Sequence, residues 1–173
     1  MIRVQQLMSH QVYVCRPDDS LEKAARLMWE HDIGAVVVVN DTCRAVAMLT
    51  DRDACMAAFI AGAPLGAIQV RQAMSKGVFT VRGEEPIEQA QLVMREHQVR
   101  RVPVTDADGR LVGILSQNDL VYEAARERSR EMRGRELSPA EITTTLASIG
   151  RSRAGELAPA ARAQPSTEWS GAA

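Results

Sequence analysis

The chain repeats itself, and that constrains its fold more than any other feature. Val4-Gln5-Gln6-Leu7-Met8-Ser9 is matched by Val70-Arg71-Gln72-Ala73-Met74-Ser75, an offset of 66 residues. Sliding 4–58 onto 70–124 needs no gap and gives 18 identities in 55 positions. They run from Val4/Val70 through Met28/Met94 and His31/His97 to Asp53/Asp119 and Ala58/Ala124. A tandem duplication of this length means one supersecondary unit built twice, each copy burying apolar surface that it could not bury alone.

Each copy reads in the same order, β-α-β-β-α. A short extended segment (Val12–Cys15, Val78–Val81) leads into a turn-forming cluster, 16–20 or 82–86. Ser20 is a plausible N-cap, and Pro86 suits a first helical position. Leu21, Ala24, Ala25 and Met28 then fall on one helical face, as do Ile87, Ala90 and Met94. His31 and His97 come at the helix ends, where a histidine is favourable against the macrodipole. Two strands follow: Ala35–Val39 and Ala45–Leu49 in the first copy, 101–104 and Leu111–Leu115 in the second. Pro103 is expected to make its strand short or irregular, because proline cannot donate to the ladder. A helix closes each copy, from Asp51 to about Ala61 and from Gln117 onward.

These readings divide the chain into repeat 1 (1–65), repeat 2 (66–125), a helical extension (126–150) and a tail (151–173). From Arg126 to Glu136 there are five Arg and three Glu, the pattern of a solvated helix face. Ser138-Pro139-Ala140-Glu141 is a capping box, and Ile142, Leu146 and Ile149 then form a stripe expected to dock on the body or on a second subunit. In the tail 14 of 23 residues are Ala, Gly, Ser or Pro, a composition expected to be disordered.

Composition excludes several classes. With 21 Lys plus Arg against 22 Asp plus Glu, bulk charge argues against nucleic-acid binding. No apolar run approaches the roughly 18–20 residues of a membrane span, and the first residues lack the apolar region of a secretory signal. The three cysteines, Cys15, Cys43 and Cys55, are widely spaced and form no C-x-x-C pair, which fits a reducing cytoplasm. No nucleophile motif or metal-ligand spacing is present, so the sequence predicts no enzyme, no catalytic residue, no metal and no obligatory cofactor.

The chemistry lies where the last strand of each copy feeds its helix. The first copy has Met48-Leu49-Thr50-Asp51-Arg52-Asp53 and the second Ile114-Leu115-Ser116-Gln117-Asn118-Asp119, both hydroxyl-x-x-Asp. One reading is an N-cap with an acid in the first turn. The other uses the same geometry for a ligand. Free N–H groups and a hydroxyl can hold a phosphate, a carboxylate one turn later can accept from a ribose, and the apolar strand offers a wall for a base.

With these motifs in place the sequence resembles a tandem pair of cystathionine β-synthase (CBS) domains, a Bateman module, over about residues 2–125. The resemblance rests on V-x-x-[LA]-M-S at each repeat start, the helix entries P-D-D-S-L and E-E-P-I, R-R-V-P-V at 100–104, G-R-L-V-G-I-L at 109–115, and T-D-R-D and S-Q-N-D. It implies an α/β fold of two repeats about a pseudo-two-fold axis, followed by the helical arm and disordered tail. The first strand of each repeat is expected to pack with the other repeat's sheet. The resemblance also implies adenosine ligands (AMP, ADP, ATP or S-adenosylmethionine) in clefts between the repeats. Asp53 and Asp119 map to the ribose carboxylate, Thr50 and Ser116 to the phosphate-side hydroxyl, and Arg101, beside Arg100, to a phosphate contact. Walls are expected from Val12, Val14, Gly34, Ala35 and Met48 of repeat 1, and from Val78, Val81 and Ile114 of repeat 2. Repeat 1 has Ala47 where repeat 2 has Gly113, and Gly34-Ala35 where repeat 2 has Arg100-Arg101, so the Ser116/Asp119 cleft is the one expected to favour phosphorylated ligands.

The function implied is regulatory sensing of an adenine nucleotide by a cytoplasmic homodimer, acting on its own geometry or on an effector protein that the sequence does not name. The alternative is a dimeric scaffold whose clefts are vestigial and which works through its C-terminal arm.

Overall fold

A computed structural model of the chain describes residues 1–129 and 139–149. Repeat 1 comprises α1 (Val4–Leu7), β1 (Val14–Cys15), α2 (Leu21–Glu30), β2 (Ala35–Val39), β3 (Ala45–Thr50) and α3 (Asp51–Ala61). Repeat 2 opens on a 3-10 turn at Val70–Gln72 and continues with β4 (Val81–Arg82), α4 (Ile87–His97), β5 (Arg101–Thr105), β6 (Leu111–Ser116) and α5 (Gln117–Ser129). A last helix, α6, spans Pro139–Ile149. Among the described residues no helix is long and apolar enough to cross a membrane.

Each repeat forms its own three-stranded sheet, in the orders β1-β2-β3 and β4-β5-β6. The first strand runs parallel to the second, with a helix as the crossover, and the third is antiparallel. The central strands are covered on both faces: every residue of β2 is buried, which suits its run of four valines. Val36 and Val38 point into the core of repeat 1. By alternation Ala35, Val37 and Val39 face the other way, toward repeat 2. In β5, Val102 and Val104 enter the core of repeat 2, leaving Arg101, Pro103 and Thr105 on the face toward repeat 1.

Pro103 does not shorten its strand. β5 has five residues like β2, and both shift register at the same place, Val38/Val39 and Val104/Thr105. The proline acts on its neighbour instead. In repeat 1 the Val37 N–H donates to the Tyr13 carbonyl at 3.2 Å. Pro103 stands at the position of Val37 and has no N–H to donate. The first strand therefore pairs from Val14 in repeat 1 but only from Val81 in repeat 2, and both strands are two residues long rather than four.

The crossing between repeats corrects the sequence reading. β1 and β4 belong to their own sheets, because strand–helix–strand is the local way to make a parallel pair. What crosses is the segment before each strand. Val4, fully buried, lies in the core of repeat 2 with Val81, Ile87 and Leu115. Val70 and Ile68 lie in the core of repeat 1 with Leu21, Val36 and Leu49. Matching backbone bonds hold the two crossings. Val4 N–H donates to Glu85 and Ile87 N–H to Ile2, both at 3.0 Å, while Val70 N–H donates to Asp19 and Leu21 N–H to Ile68, both at 2.8 Å. The crossing segments continue onto the far edge of the opposite sheet, where Ser9 and Ile114 exchange backbone bonds at 2.9 and 3.0 Å.

Helix ends follow the local chemistry. Ser20 Oγ caps α2 by accepting from Lys23 N–H at 3.2 Å. Pro86 takes the N-cap place of α4 rather than its first turn. The two histidines at the helix ends make equivalent ring stacks, His31 on Tyr13 at 3.8 Å and His97 on Phe79 at 3.6 Å between centroids. α6 docks on repeat 2 of its own chain, against α4 and α5. Its buried face is Ile142, Thr145 and Ile149, so two members of the apolar stripe read from the sequence turn inward and the third, Leu146, is exposed. Ser138 of the capping box, residues 130–136 of the charged run and the tail 151–173 lie outside the described residues.

Candidate functional site

The strand-to-helix junctions are built alike. At β6–α5, Asp119 Oδ2 accepts from the N–H and the Oγ–H of Ser116, both at 2.7 Å. Asp119 N–H donates back to Ser116 Oγ at 3.4 Å. At β3–α3, Asp53 Oδ2 accepts from Thr50 N–H at 3.0 Å and Oγ1–H at 2.7 Å, and the return bond is 3.2 Å. The capping-box reading therefore holds at both positions. It does not exclude a second role, since every bond that the two carboxylates accept here ends on Oδ2 and leaves Oδ1 of each aspartate open. The hydroxyl is less free. A carboxylate cannot donate, so the single Ser116 hydroxyl proton is held by Asp119, and Ser116 donates to a phosphate only if it turns away.

Asp119 and Ser116 look into a cleft of about 210 Å³. Repeat 2 contributes Arg101, Ile114, Ser116 and Asp119 to it. Repeat 1 contributes Ser9, Gln11, Val12 and Tyr13 from the α1–β1 loop, Asp32 and Ile33 from the end of α2, and Ala35 from β2. Tyr13 is held by its stack on His31 and by Gln11, whose Nε2 donates to the phenolic oxygen at 2.5 Å. Arg101 reaches across the pseudo-axis. A methyl group built on Gly34 would lie 3.8 Å from an Arg101 Nη atom and 3.5 Å from Asp51 Oδ2. The guanidinium thus occupies space beside Gly34, near the first residue of α3.

Six of the expected site residues line this one cleft: Val12, Ala35, Arg101, Ile114, Ser116 and Asp119. The others are placed elsewhere. Val14 lies in an adjoining depression of about 230 Å³ with His10, Val39, Cys43, Leu111 and Val112. Gly34 opens onto a larger apolar groove of about 730 Å³ between α2 and α3. Arg100 is exposed, and its carbonyl accepts from Gln117 N–H at 2.9 Å. Thr50, Asp53 and Met48 belong to the junction of repeat 1, where Met48 N–H donates to Ser75 Oγ at 2.9 Å. Val78 is half-buried in the segment before β4. Val81 is in the core of repeat 2, 3% exposed, so its side chain lines no cleft. Its position in the parallel pair turns it inward, as Cys15 is turned in repeat 1.

Sequence reasoning missed Ser9, Gln11, Asp32 and Ile33, and it placed the segment Val12–Cys15 at the cleft without singling out Tyr13. Tyr13 carried a signal, because an aromatic recurs at its repeat position, Phe79, in a chain with few aromatics. Asp32 carried a weaker one. It adopts a left-handed conformation, φ 51°, at the end of α2, a place where a short polar residue is at home.

The arrangement can hold a small molecule carrying hydroxyls and an anion against apolar strand residues. Among the described residues no group of three or more His, Cys, Asp or Glu side chains is placed to hold a metal ion. The buried thiol, Cys15, is pushed up to about 12, chiefly by burial and further by the Asp19 carboxylate, with Lys23 opposing.

Comparison with known proteins agrees with this fold. The CBS domain family model matches twice, over residues 4–59 and 70–126. Hypoxic response protein 1 of Mycobacterium tuberculosis is 38% identical over 102 residues, 59% of this chain and 71% of that protein. The CBS domain-containing protein YhcV of Bacillus subtilis is 33% identical over 138 residues, 80% of this chain and 94% of that protein. CBSX2, solved in complex with AMP, superposes with a TM-score of 0.64 at 26% identity, covering 74% of this chain and 99% of that one. Two matched repeats, the order of their elements and the paired hydroxyl-x-x-Asp junctions place the chain in the CBS domain family, as a tandem CBS pair.

Proposed function

We propose that the chain is a regulatory sensing module whose ligand is an adenosine derivative bound in the Ser116/Asp119 cleft. The observation that carries this reading is one carboxylate oxygen, Asp119 Oδ1, left open in a cleft that also holds Arg101 and apolar strand residues from both repeats. In this reading Oδ1 accepts from the ribose hydroxyls. Arg101 meets a phosphate, and Val12, Ala35 and Ile114 flank the base. CBSX2 supports the choice of an adenosine ligand, since a CBS pair of similar fold holds AMP.

Because the walls come from two repeats, an occupied cleft ties Tyr13 and Ala35 to Arg101 and Asp119. A ligand that prefers one spacing of the repeats shifts the population toward it. The readout then passes to a second copy or to an effector. For the second copy the supporting feature is the helical surface of α2 and α3, where Trp29, Phe59 and Ile60 are each at least 78% exposed. No bond-making step is assigned, and the module acts as a binding protein rather than an enzyme. Residues 1–125 carry 13 basic and 16 acidic side chains, which weighs against a nucleic-acid partner.

A second reading, a scaffold with vestigial clefts, draws on the cleft volume of about 210 Å³. Ligand pockets usually occupy about 300–1,000 Å³. Thermal unfolding against a panel of adenosine, AMP, ADP, ATP and S-adenosylmethionine separates the two. A ligand at about 100 times its Kd adds about 2.7 kcal/mol of stability. A clear upward shift with an adenosine ligand supports the sensing module. No shift with any of them, at millimolar concentration, supports the scaffold.

A further inference from the structure

We infer that the Ser116/Asp119 cleft selects an adenosine monophosphate over a triphosphate, and that Asp32 is the residue that turns the triphosphate away. The inference rests on the adenosine reading of the cleft and adds a charge limit to it. Among the described residues lining the cleft, Arg101 is the one cation, while Asp32 and Asp119 are both acids. Asp119 is assigned to the ribose, so Arg101 alone meets phosphate. It is already near a second acid, since Asp51 Oδ2 and the guanidinium flank the same point beside Gly34.

A single phosphate brings about −1.5 to −2 charges at neutral pH, of which one guanidinium offsets half or more. A triphosphate brings about twice that, and nothing else in the lining can neutralise the remainder. Asp32, exposed just past the end of α2, borders the cleft from the repeat 1 side, so phosphates added beyond the first bring negative charge toward a carboxylate.

The backbone does not explain why this residue is an acid. Gln98 occupies the same position in repeat 2 with φ 52°, so the left-handed turn accepts a neutral side chain equally well. The acid is particular to repeat 1, where Asp32 borders this cleft and also the groove between α2 and α3.

The test is calorimetry on the full chain with adenosine, AMP and ATP, in EDTA, at low and at raised salt. Two variants accompany the wild type, Asp32→Asn and Asp32→Gly, both of which tolerate a positive φ. The wild type is expected to bind AMP about 10-fold or more tightly than ATP, a difference of about 1.4 kcal/mol. Both variants are expected to raise ATP affinity about 3-fold or more relative to adenosine at low salt, with the gain shrinking as salt screens it. Equal binding of ATP and AMP by the wild type overturns the inference, as does an AMP-to-ATP ratio that both variants leave unmoved. If adenosine, AMP and ATP all fail to bind, the adenosine reading itself falls and the selectivity falls with it.

Discussion

Asp119 and Ser116 are joined through a single carboxylate oxygen, with the Ser116 N–H and Oγ–H both 2.7 Å from Asp119 Oδ2. The pair closes the first turn of α5 and leaves the other oxygen of Asp119 free of that task. Because the bonds are shared, Ser116→Ala and Asp119→Ala should each cost about 1 kcal/mol of stability, and the double variant should cost clearly less than their sum. Urea unfolding of the two single variants and the double variant measures it. Strict additivity would show that the pair does not act as one capping unit.

Gly113 is held small by Met8. A Cβ at position 113 would meet the Sδ atom of Met8 and come within 2.9 Å of its Cγ. In repeat 1 the same position is Ala47, fully buried, so a methyl is accommodated there, whereas here it would displace the Met8 side chain. Gly113→Ala should therefore destabilise by about 1–3 kcal/mol, and adding Met8→Ala should recover part of the loss. Chemical denaturation of the three variants gives the comparison. A harmless Gly113→Ala would mean that Met8 moves aside freely.

Cys15 is 2% exposed and its thiol is pushed up to about 12, whereas Cys43 and Cys55 are exposed. At neutral pH a thiol reagent should label Cys43 and Cys55 quickly and Cys15 only after unfolding. The pH dependence has a definite sign. Below the ordinary thiol range both folded and unfolded chains keep the proton. As pH rises from that range toward 12, the unfolded chain releases it and the folded chain does not, so folding stability falls. Cys15→Ser removes this thiol from the titration and should flatten the alkaline loss. Three equally fast thiols at neutral pH would contradict the burial of Cys15.

The proposed partner surface is tested by assembly. Trp29, Phe59 and Ile60 expose apolar area that a second copy would cover through one self-complementary patch. Sedimentation at tens of micromolar, a working range for weak association, should show a dimer. Phe59→Asp with Ile60→Asp should convert it to a monomer without loss of helix content. A monomeric wild type at that concentration would remove the second copy as the readout.

Much of this was legible in the chain because repeat and periodicity act locally. α3 ends at Ala61, as expected, before Gly62 in a left-handed cap, and the hydroxyl-x-x-Asp junctions form the capping boxes that their residue types permit. What was illegible depends on the other repeat. Nothing near Val4 says that its side chain completes the core around Ile87 and Leu115 rather than its own. Pro103 reads as a strand breaker, yet its missing N–H shifts the pairing of β4 and leaves β5 whole, because the lost donor faced the short edge strand. Thr145 takes the place of Leu146 on the face of α6 that meets α4 and α5, a packing that no residue near it in sequence announces. Asp32 and Tyr13 joined the cleft for the same reason: they lie far from Asp119 in sequence and meet it only across the pseudo-axis.

Calorimetry with AMP and 2′-deoxy-AMP on the wild type and Asp119→Ala tests the central claim most directly. Charge-assisted hydrogen bonds are worth about 1.5–3 kcal/mol. Asp119→Ala should therefore weaken AMP about 10- to 150-fold, at about 1.4 kcal/mol per decade. The 2′-deoxy ligand should bind the wild type several-fold less well than AMP and should gain little from the presence of Asp119. If Asp119→Ala binds AMP as tightly as the wild type does, the carboxylate has no ribose partner and Asp119 is a helix cap alone.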